Sequence, residues 1–346
     1  MARLLRYIRR HTSRCAPTDV PCRRTQIRRN LVELFLAVTL TRTLPGVWRG
    51  KTVYMIQIIA PAKINLFLQV TGKRPDGYHE LFTLMCPLRL ADRIRLDPNG
   101  PRIRVTCSAP EVPADATNTT YRAAEIFIRN LKKGRHPPLT GVKVTIDKQI
   151  PVGAGLGGGS SDAAAVFRGL NGLLGYPFQL AELMEMGRGV GADVPFFIFG
   201  RPALATGIGE LLEPYLKLPP YTVLLFYPGV SVSTAEVYKN LDLGLTNCKK
   251  KLKDFVLKQR PFDAALHLCN DLETVTLNRY PQVRAAKEAL DGHGALGVSM
   301  SGSGSTVFAL FADDGKARRA LQSLEGITEG SFILTQLIVD ANTGCS

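Results

Sequence analysis

The amino-acid sequence predicts a protein of mixed helices and strands in two domains, and three observations lead to this prediction. The chain has 346 residues, which is more than a single hydrophobic core usually organises. Its apolar residues repeat every second position in some segments and with a helical period in others. A glycine-rich loop at residues 151–161 joins one such strand to one such helix, and the other elements are arranged around it.

The segments on either side of this loop have clear periodicities. Residues 142–150 alternate apolar and polar side chains, which predicts a half-buried strand. Residues 162–174 predict a helix with one apolar face. That face comprises Ala163, Val166, Phe167, Leu170, Leu173 and Leu174. We expect Ser160 or Ser161 to cap the helix and Asp162 to lie in its first turn.

The composition of the loop predicts a phosphate site. Five of its eleven residues are glycine, whereas a structural strand-to-helix turn needs one or two. Glycine allows close backbone approach and positive φ angles, and the free N–H groups at a helix start bind anions. The predicted phosphate-binding residues are Pro151, Val152, Gly153, Ala154, Gly155, Leu156, Gly157, Gly158, Gly159, Ser160 and Ser161.

Two well-known phosphate loops do not fit this segment. A Walker A loop requires a lysine directly after its glycines, and none is present. The spacing of Gly153, Gly155 and Gly158 matches a dinucleotide-binding pattern. That pattern also requires an acidic residue about 20 positions later, at the end of a second parallel strand. Here that distance falls at residues 180–182, inside a predicted helix, so the dinucleotide reading is disfavoured.

The first predicted strand carries a candidate polar pair. Apolar residues alternate through residues 55–70, which places Lys63, Asn65 and Phe67 on one face. Lys63 and Asn65 could converge on a ligand or could form an exposed polar face, and their spacing leaves both interpretations open.

Three further polar residues lie beside turns. Tyr78 and His79 follow a Pro-Asp-Gly turn, where they could hold a planar base, although a lone histidine is more often structural. Asp193 lies between a glycine turn and an apolar segment, which suits a general base and equally suits a helix cap.

The remaining periodic segments alternate between the two types of element. Strands are predicted in 88–108, 221–227, 307–311 and 331–339, and helices in 118–131, 264–272, 282–290 and 316–324. A second Gly/Ser-rich loop occupies residues 300–306.

The net charge of +15 is concentrated at the N-terminus, because residues 1–54 carry twelve Lys/Arg and two acidic residues. This tail could be a transit peptide, a flexible arm, or the product of a misassigned start with Met55 as the true start, and we favour the third. The remaining chain is only mildly basic, which suits a phosphorylated small molecule better than nucleic acid. No segment predicts a membrane span.

The seven cysteines are scattered, and no C-x-x-C pair or Cys/His cluster indicates a metal site. We therefore expect reduced thiols and no metal bound by the protein alone.

Three segments in order resemble the motifs of the GHMP small-molecule kinases: residues 61–65, residues 151–161 and residues 301–304. Two others, residues 72–79 and 191–195, resemble the branch that acts on a cytidyl substrate in the non-mevalonate isoprenoid pathway. The resemblance runs from about Met55 to the C-terminus.

This resemblance implies a two-domain α+β fold. Its N-terminal half, residues 55–205, is expected to be like ribosomal protein S5 domain 2, and its C-terminal half, residues 206–346, to be ferredoxin-like. Residues 1–54 have no counterpart and are expected to be disordered or absent from the native chain. ATP and substrate would meet between the halves.

The resemblance also implies the roles of individual residues. Residues 151–161 would wrap the ATP phosphates, and Lys63 and Asp193 would form the catalytic pair that phosphorylates the 2-hydroxyl of a diphosphocytidyl methylerythritol. The substrate-binding positions are Asn65, Tyr78, His79, Thr234 and Tyr238, the last being Phe in most of the family. Mg²⁺ would be bound mainly through ATP.

Two rival functions remain from the sequence. Another GHMP kinase would act on an alcohol without a base, which the paired aromatics disfavour. A catalytically inactive binding protein is disfavoured because Lys63 and Asp193 are both present. We expect a cytoplasmic monomer or weak homodimer that binds neither nucleic acid nor membrane, or an organelle-targeted form if residues 1–54 are a real transit peptide.

Overall fold

The structure is a computed structural model that describes residues 43–48, 51–133, 139–246, 248, 252, 261–326 and 330–339. Most of the predicted N-terminal extension therefore lies outside the described residues. Its last part pairs as an antiparallel hairpin, in which Trp48 lies opposite Lys51 and Thr43 opposite Met55. The division of the chain at residues 54 and 205 stays a prediction.

Twelve strands and nine α-helices lie in the described part of the chain. The strands are β1 (Thr43–Trp48), β2 (Lys51–Lys73), β3 (His79–Asp97), β4 (Arg104–Cys107), β5 (Lys143–Asp147), β6 (Ala203–Thr206), β7 (Leu211–Pro214), β8 (Thr222–Tyr227), β9 (Cys269–Asn270), β10 (Gly297–Met300), β11 (Val307–Phe311) and β12 (Ser331–Gln336). The helices are α1 (Thr119–Lys133), α2 (Gly158–Leu173), α3 (Leu180–Arg188), α4 (Val194–Phe199), α5 (Thr234–Lys239), α6 (Ala264–His267), α7 (Glu273–Arg279), α8 (Pro281–Leu290) and α9 (Asp314–Leu324).

These strands form two sheets. The first has eight strands in the order β1-β2-β3-β5-β4, with β6 joined to β3, β7 joined to β6, and β9 joined in parallel to β2. The second has four antiparallel strands in the order β10-β11-β8-β12. The expected two-domain α+β class is confirmed. No described helix has both the length and the apolar character needed to cross a bilayer.

Strand β2 changes character along its length. Ile56, Ile58 and Ala60 are buried while their neighbours are partly exposed, as expected for one covered face. From residue 62 to residue 68 every residue is buried, because Ala62, Ile64, Leu66 and Phe67 lie in one apolar cluster and Leu68 lies in another. The register also shifts just after Asn65, so the simple alternation predicted through Phe67 does not hold.

The helices that cover the first sheet follow the predicted apolar faces. In α1 the residues Ala124, Phe127, Ile128 and Leu131 form one face and are all buried. Helix α2 is buried more completely than a one-faced helix, since it contacts β2 on one side and the helices α1 and α4 on others.

The predicted helix over residues 264–272 is wrong. The chain instead forms the short helix α6, the two-residue strand β9 and then helix α7. The interruption occurs at Asn270, whose side chain donates hydrogen bonds to the carbonyl oxygens of Met300 and Gly302, at 2.8 and 2.7 Å. These contacts across the fold outweigh the local helical pattern.

The expectation of reduced thiols is wrong for one pair of cysteines. Cys248 and Cys269 form a disulfide whose Cα atoms are 5.6 Å apart, whereas Cys86 and Cys107 are free. The two bonded residues are separated by 21 positions in the sequence. Only the return of the chain to β9 brings them together, so their spacing could not predict the bond.

The two glycine-rich loops pack directly against each other. Ser301 Oγ donates a hydrogen bond to the carbonyl of Gly155 at 3.1 Å, and the Thr306 N–H donates to the carbonyl of Ala154 at 3.1 Å. Gly155 has a φ of +78°, and a Cβ on it would lie 2.5 Å from the carbonyl oxygen of Gly304. Glycine is therefore required at residue 155 both for conformation and for space.

We expect Gly155→Ala to lower the free energy of unfolding more than Gly175→Ala. Gly175 has nearly the same φ, +79°, but a Cβ there meets no atom within 4 Å. Its replacement adds only the left-handed strain of roughly 1–2 kcal/mol. Gly155→Ala adds an overpacking cost of about 1–3 kcal/mol. Denaturant unfolding of both variants measures the difference, and equal losses would show that the loop contact is not tight.

Candidate active site

The start of helix α2 is the predicted anion-binding end of the site. The helix begins at Gly158, and Gly157 before it provides no side-chain cap. The prediction that Ser160 or Ser161 caps the helix is therefore wrong, since the helix begins earlier and the Ser161 N–H already donates to the carbonyl of Gly157. The uncapped N–H groups and the helix dipole favour a negatively charged ligand here.

A cavity of about 370 Å³ lies against this helix start. Its wall includes ten of the eleven loop residues predicted to bind phosphate, from Pro151 to Ser160. Ser161 is buried and lies behind the wall. The other side of the cavity is formed by Glu111, Val112, Pro113, Thr117, Asn118, Thr119, Ile146, Lys148 and Asp162. The cavity has room for a small nucleotide-sized ligand.

The predicted catalytic pair meets in space. Lys63 Nζ, on the buried part of β2, lies 3.4 Å from Asp193 Oδ2, and only 6% of the Lys63 side chain is exposed. Asp193 occupies the N-cap position of α4, but its side chain makes no capping hydrogen bond. The carboxylate, with 36% of the side chain exposed, therefore pairs with Lys63 and remains open to a ligand.

Asn65 fixes the other side of the lysine ammonium. Lys63 Nζ donates to Asn65 Oδ1 at 2.7 Å, so the interpretation of an exposed polar face is wrong. The amide of Asn65 donates in turn to Thr83 Oγ1 at 2.9 Å, and Thr83 donates to the carbonyl of Phe67 at 2.6 Å. This chain of hydrogen bonds holds the lysine in one orientation.

Lys63 also contacts both glycine loops. Its backbone N–H donates to the carbonyl of Leu156 in the first loop at 2.9 Å. Its ammonium lies close to Gly302 in the second loop, where an added Cβ would be 3.5 Å from Nζ. Asn270 holds the second loop in place, and no local pattern in the sequence indicated that role.

The structure places the predicted substrate residues around one side of the site. The rings of His79 and Tyr238 are 5.2 Å apart and tilted by 30°. Tyr78 follows the turn, and 60% of it is exposed. Thr234 Oγ1 lies 2.8 Å from Ser303 Oγ of the second loop. The ring packed beside Tyr238 is thus His79, while Tyr78 presents an open ring face to solvent.

Electrostatics connect these rings to the catalytic pair. Burial, reinforced by the nearby Asp193 carboxylate, raises the pKa of the Tyr238 hydroxyl well above its usual value. Burial and the positive charge of Lys73 lower the pKa of His79. The imidazole is therefore neutral at pH 7, and one ring nitrogen donates while the other accepts a hydrogen bond.

The sequence did not predict a group of charged residues that lies beneath the glycine loop. Lys148 Nζ lies 2.5 Å from Asp92 Oδ2 and 3.0 Å from Asp162 Oδ2. The expectation that Asp162 lies in the first turn of the helix is wrong, because α2 begins at Gly158 and has no acidic residue in its first turn. Asp162 is instead a buried partner of this lysine. Asp92 precedes Lys148 by 56 residues, so no local pattern could have shown the pairing.

Comparisons with known proteins agree with this geometry. The family model described as GHMP kinases N terminal domain matches residues 118–201, and that described as GHMP kinases C terminal matches residues 252–327.

The chain is 46% identical over 282 residues to a protein of Geobacter sp. (strain M21) named 4-diphosphocytidyl-2-C-methyl-D-erythritol kinase. The match covers 80% of this chain and 96% of that protein. A protein of the same name from Brevibacillus brevis is 44% identical over 82% of this chain and 96% of its own length.

Solved structures give the same result. A crystal structure of 4-(cytidine 5'-diphospho)-2C-methyl-D-erythritol kinase superimposes with a TM-score of 0.66 and 35% identity, covering 82% of this chain and 99% of that one. Homoserine kinase from Cytophaga hutchinsonii shares the fold alone, with a TM-score of 0.65 and 18% identity over 87% of this chain and 99% of its own. The chain therefore belongs to the GHMP kinase family, within the group of 4-diphosphocytidyl-2-C-methyl-D-erythritol kinases.

Proposed function

We propose that the protein transfers the γ-phosphoryl group of ATP to the 2-hydroxyl of 4-diphosphocytidyl-2-C-methyl-D-erythritol. The relatives bear the name of this kinase activity. The observation that carries the proposal is the pair formed by buried Lys63 and partly exposed Asp193, 3.4 Å apart. The pair lies beside a glycine loop that ends at a helix start.

ATP is proposed to bind with its phosphates on the loop from Pro151 to Ser161. The free N–H groups at the start of α2 point toward such phosphates, and the helix dipole favours their charge. Mg²⁺ enters with ATP, held mainly by phosphate oxygens and water, and neutralises part of their charge.

Asp193 is proposed to act as the general base. The substrate hydroxyl oxygen attacks the γ-phosphorus, its proton passes to the Asp193 carboxylate, and the bond to the bridging β–γ oxygen breaks to release ADP. Lys63 orients this carboxylate and stabilises the negative charge that develops on the transferred group. Asn65 keeps the ammonium in position for both tasks.

The cytidine end of the substrate is proposed to bind at Tyr78, His79 and Tyr238. Exposed Tyr78 offers a ring face for stacking, and neutral His79 offers both a donor and an acceptor to the polar edge of cytosine. Asn65 and Thr234 lie closer to the catalytic pair and the second loop, where they can contact the rest of the substrate.

We also propose a cytoplasmic monomer or weak homodimer whose partners are small molecules rather than nucleic acid or membrane. The charge of the chain outside residues 1–54 supports the choice of small-molecule partners, because that part carries little excess positive charge for a polyanion.

Asp193→Asn is expected to lower kcat by about 100-fold or more, since general-base catalysis contributes on that scale. The affinity for ATP should change little, because the carboxylate acts on the acceptor hydroxyl. Asp313→Asn is the matched control, being an aspartate at the start of α9 that caps the helix through the N–H of Lys316. Coupled measurement of ADP release tests both variants, and near-normal turnover in Asp193→Asn would leave Asp193 a structural residue.

Tyr78→Ala is expected to raise KM for the cytidyl substrate roughly 5- to 150-fold, the range given by base–aromatic stacking. The KM for ATP should stay unchanged. Tyr238→Ala should behave similarly, whereas Tyr238→Phe should be nearly silent if only the ring matters. The two alanine changes should not add, since both rings are proposed to contact one base.

Turnover on a panel of alcohols with and without the cytidyl group tests the substrate itself. The proposal requires activity only on the cytidyl compound. Equal activity on homoserine, a sugar or a mevalonate derivative, or loss of ATP affinity alone in Tyr78→Ala, would contradict it.

A further inference from the structure

Three buried charged groups lie beneath the glycine loop and have no part in the proton transfer described above. Asp92 is completely buried in the second half of β3, between partly exposed Ala91 and exposed Arg93. Lys148 follows β5 with 8% of its side chain exposed, and Asp162 lies in α2 with 4% exposed. One ammonium is thus shared by two carboxylates, so the cluster carries one excess negative charge when both are ionised.

Folding alone gives little reason to keep such a cluster. Buried ion pairs gain little net stability, because desolvation offsets their attraction, and an excess buried charge makes the balance worse. The cost of burying these charges is visible at Asp162. Burial above all, with a further contribution from Asp92, raises the pKa of the Asp162 carboxyl to about 7, although the Lys148 ammonium lowers it. Groups perturbed in this way concentrate at functional sites.

The cluster reaches both the loop and the cavity. Asp92 Oδ1 accepts hydrogen bonds from the N–H groups of Gln149 and Ile150, at 2.5 and 2.9 Å. These are the two peptide groups directly before Pro151, where the loop begins. Lys148 and Asp162 line the cavity. The Lys148 ammonium also touches the helix start, since a Cβ on Gly158 would lie 3.0 Å from Nζ.

One oxygen of the cluster has no partner within the protein. Asp162 Oδ2 pairs with Lys148, but Oδ1 is buried without a hydrogen bond to any described residue. An unpaired buried acceptor is costly unless a ligand or water supplies a donor. Asp162 is among the residues that line the cavity, so this unpaired acceptor lies at the edge of the proposed nucleotide site.

We propose that Asp92 is a positioning residue for the nucleotide, a role that rests on the ATP binding proposed above. Its Oδ1 fixes the backbone that leads into the phosphate loop. Its Oδ2 fixes Lys148, which in turn pairs with Asp162 Oδ2. Asp92 itself does not line the cavity, so it acts on the nucleotide only through these neighbours.

Asp92→Asn separates the charge from the backbone contacts. The amide oxygen of asparagine can still accept from Gln149 and Ile150, but the negative charge beside Lys148 is lost. We expect the Kd for ATP, measured calorimetrically, to rise on the order of tenfold, as for coupled buried neighbours. The KM for the cytidyl substrate should stay unchanged. Asp162→Asn should show the same pattern, because each variant leaves Lys148 one carboxylate.

Asp147→Asn is the matched control. Asp147 ends β5 one residue before Lys148 and pairs with Arg93 at 3.5 Å, the residue next to Asp92. It lies outside the cavity wall and is partly exposed. Its replacement should leave the affinities for both substrates unchanged.

The dependence of ATP affinity on pH distinguishes the positioning role from a purely structural one, because a purely structural role would leave this dependence unchanged. The charged groups that face Asp162 are Lys148 and Asp92. Two further titratable groups lie close by, namely the partly buried thiol of Cys107 on β4 and the carboxyl of Glu111 in the cavity wall. Losing the like charge of Asp92 lowers the pKa of the Asp162 carboxyl from about 7. The pH-dependent step in ATP affinity is therefore expected at lower pH in Asp92→Asn than in the parent protein.

The outcomes are distinguishable. If Asp92→Asn loses stability toward denaturant but keeps the parent Kd and pH profile for ATP, the positioning role is wrong and Asp92 is only structural. If Kd for ATP and KM for the cytidyl substrate rise together, the effect is not specific to the nucleotide and the inference also fails. If the parent protein itself does not bind ATP, the proposed function fails first.

Discussion

The contact between the two glycine-rich loops is the constraint on which the site depends. Residues 151–157 and residues 301–305 come from different halves of the chain and meet backbone to backbone, with no room for side chains at Gly155. Lys63 lies where they meet, joined to Leu156 of one loop and close to Gly302 of the other. A shift in either loop would therefore move the ammonium that orients Asp193.

Two buried lysines lie beside the first loop, and the charged groups around them differ. Lys63 contacts one carboxylate and one amide, so its local charge is balanced and Asp193 stays partly exposed. Lys148 contacts two buried carboxylates, so a negative charge is left over. The first arrangement suits a base that must take a proton from a substrate. The second suits a rigid support that a bound ligand completes.

The sequence predicted what local patterns and motifs determine. The buried face of α1 and the family itself follow from period and motif order, whereas the role of the glycine loop in phosphate binding stays a prediction. It failed where contacts between distant segments decide the outcome. Asn270 interrupts a helical pattern to hold the second loop, and Asp92 and Cys248 find partners that only the folded chain supplies. The helix cap was mispredicted because glycines, which disfavour helix, begin α2 here.

The short parallel pairing of β9 with β2 bears on how the halves of the molecule can move. Phe67 and Leu68 pair with Cys269 and Asn270, a few residues from Lys63. Opening the two halves like a hinge would break this pairing together with the hydrogen bonds between the two glycine loops, at about 0.5–1.5 kcal/mol for each hydrogen bond. These contacts oppose a hinge opening of the two halves beside Lys63, whereas the exposed residues Tyr78 and Val152 take no part in them.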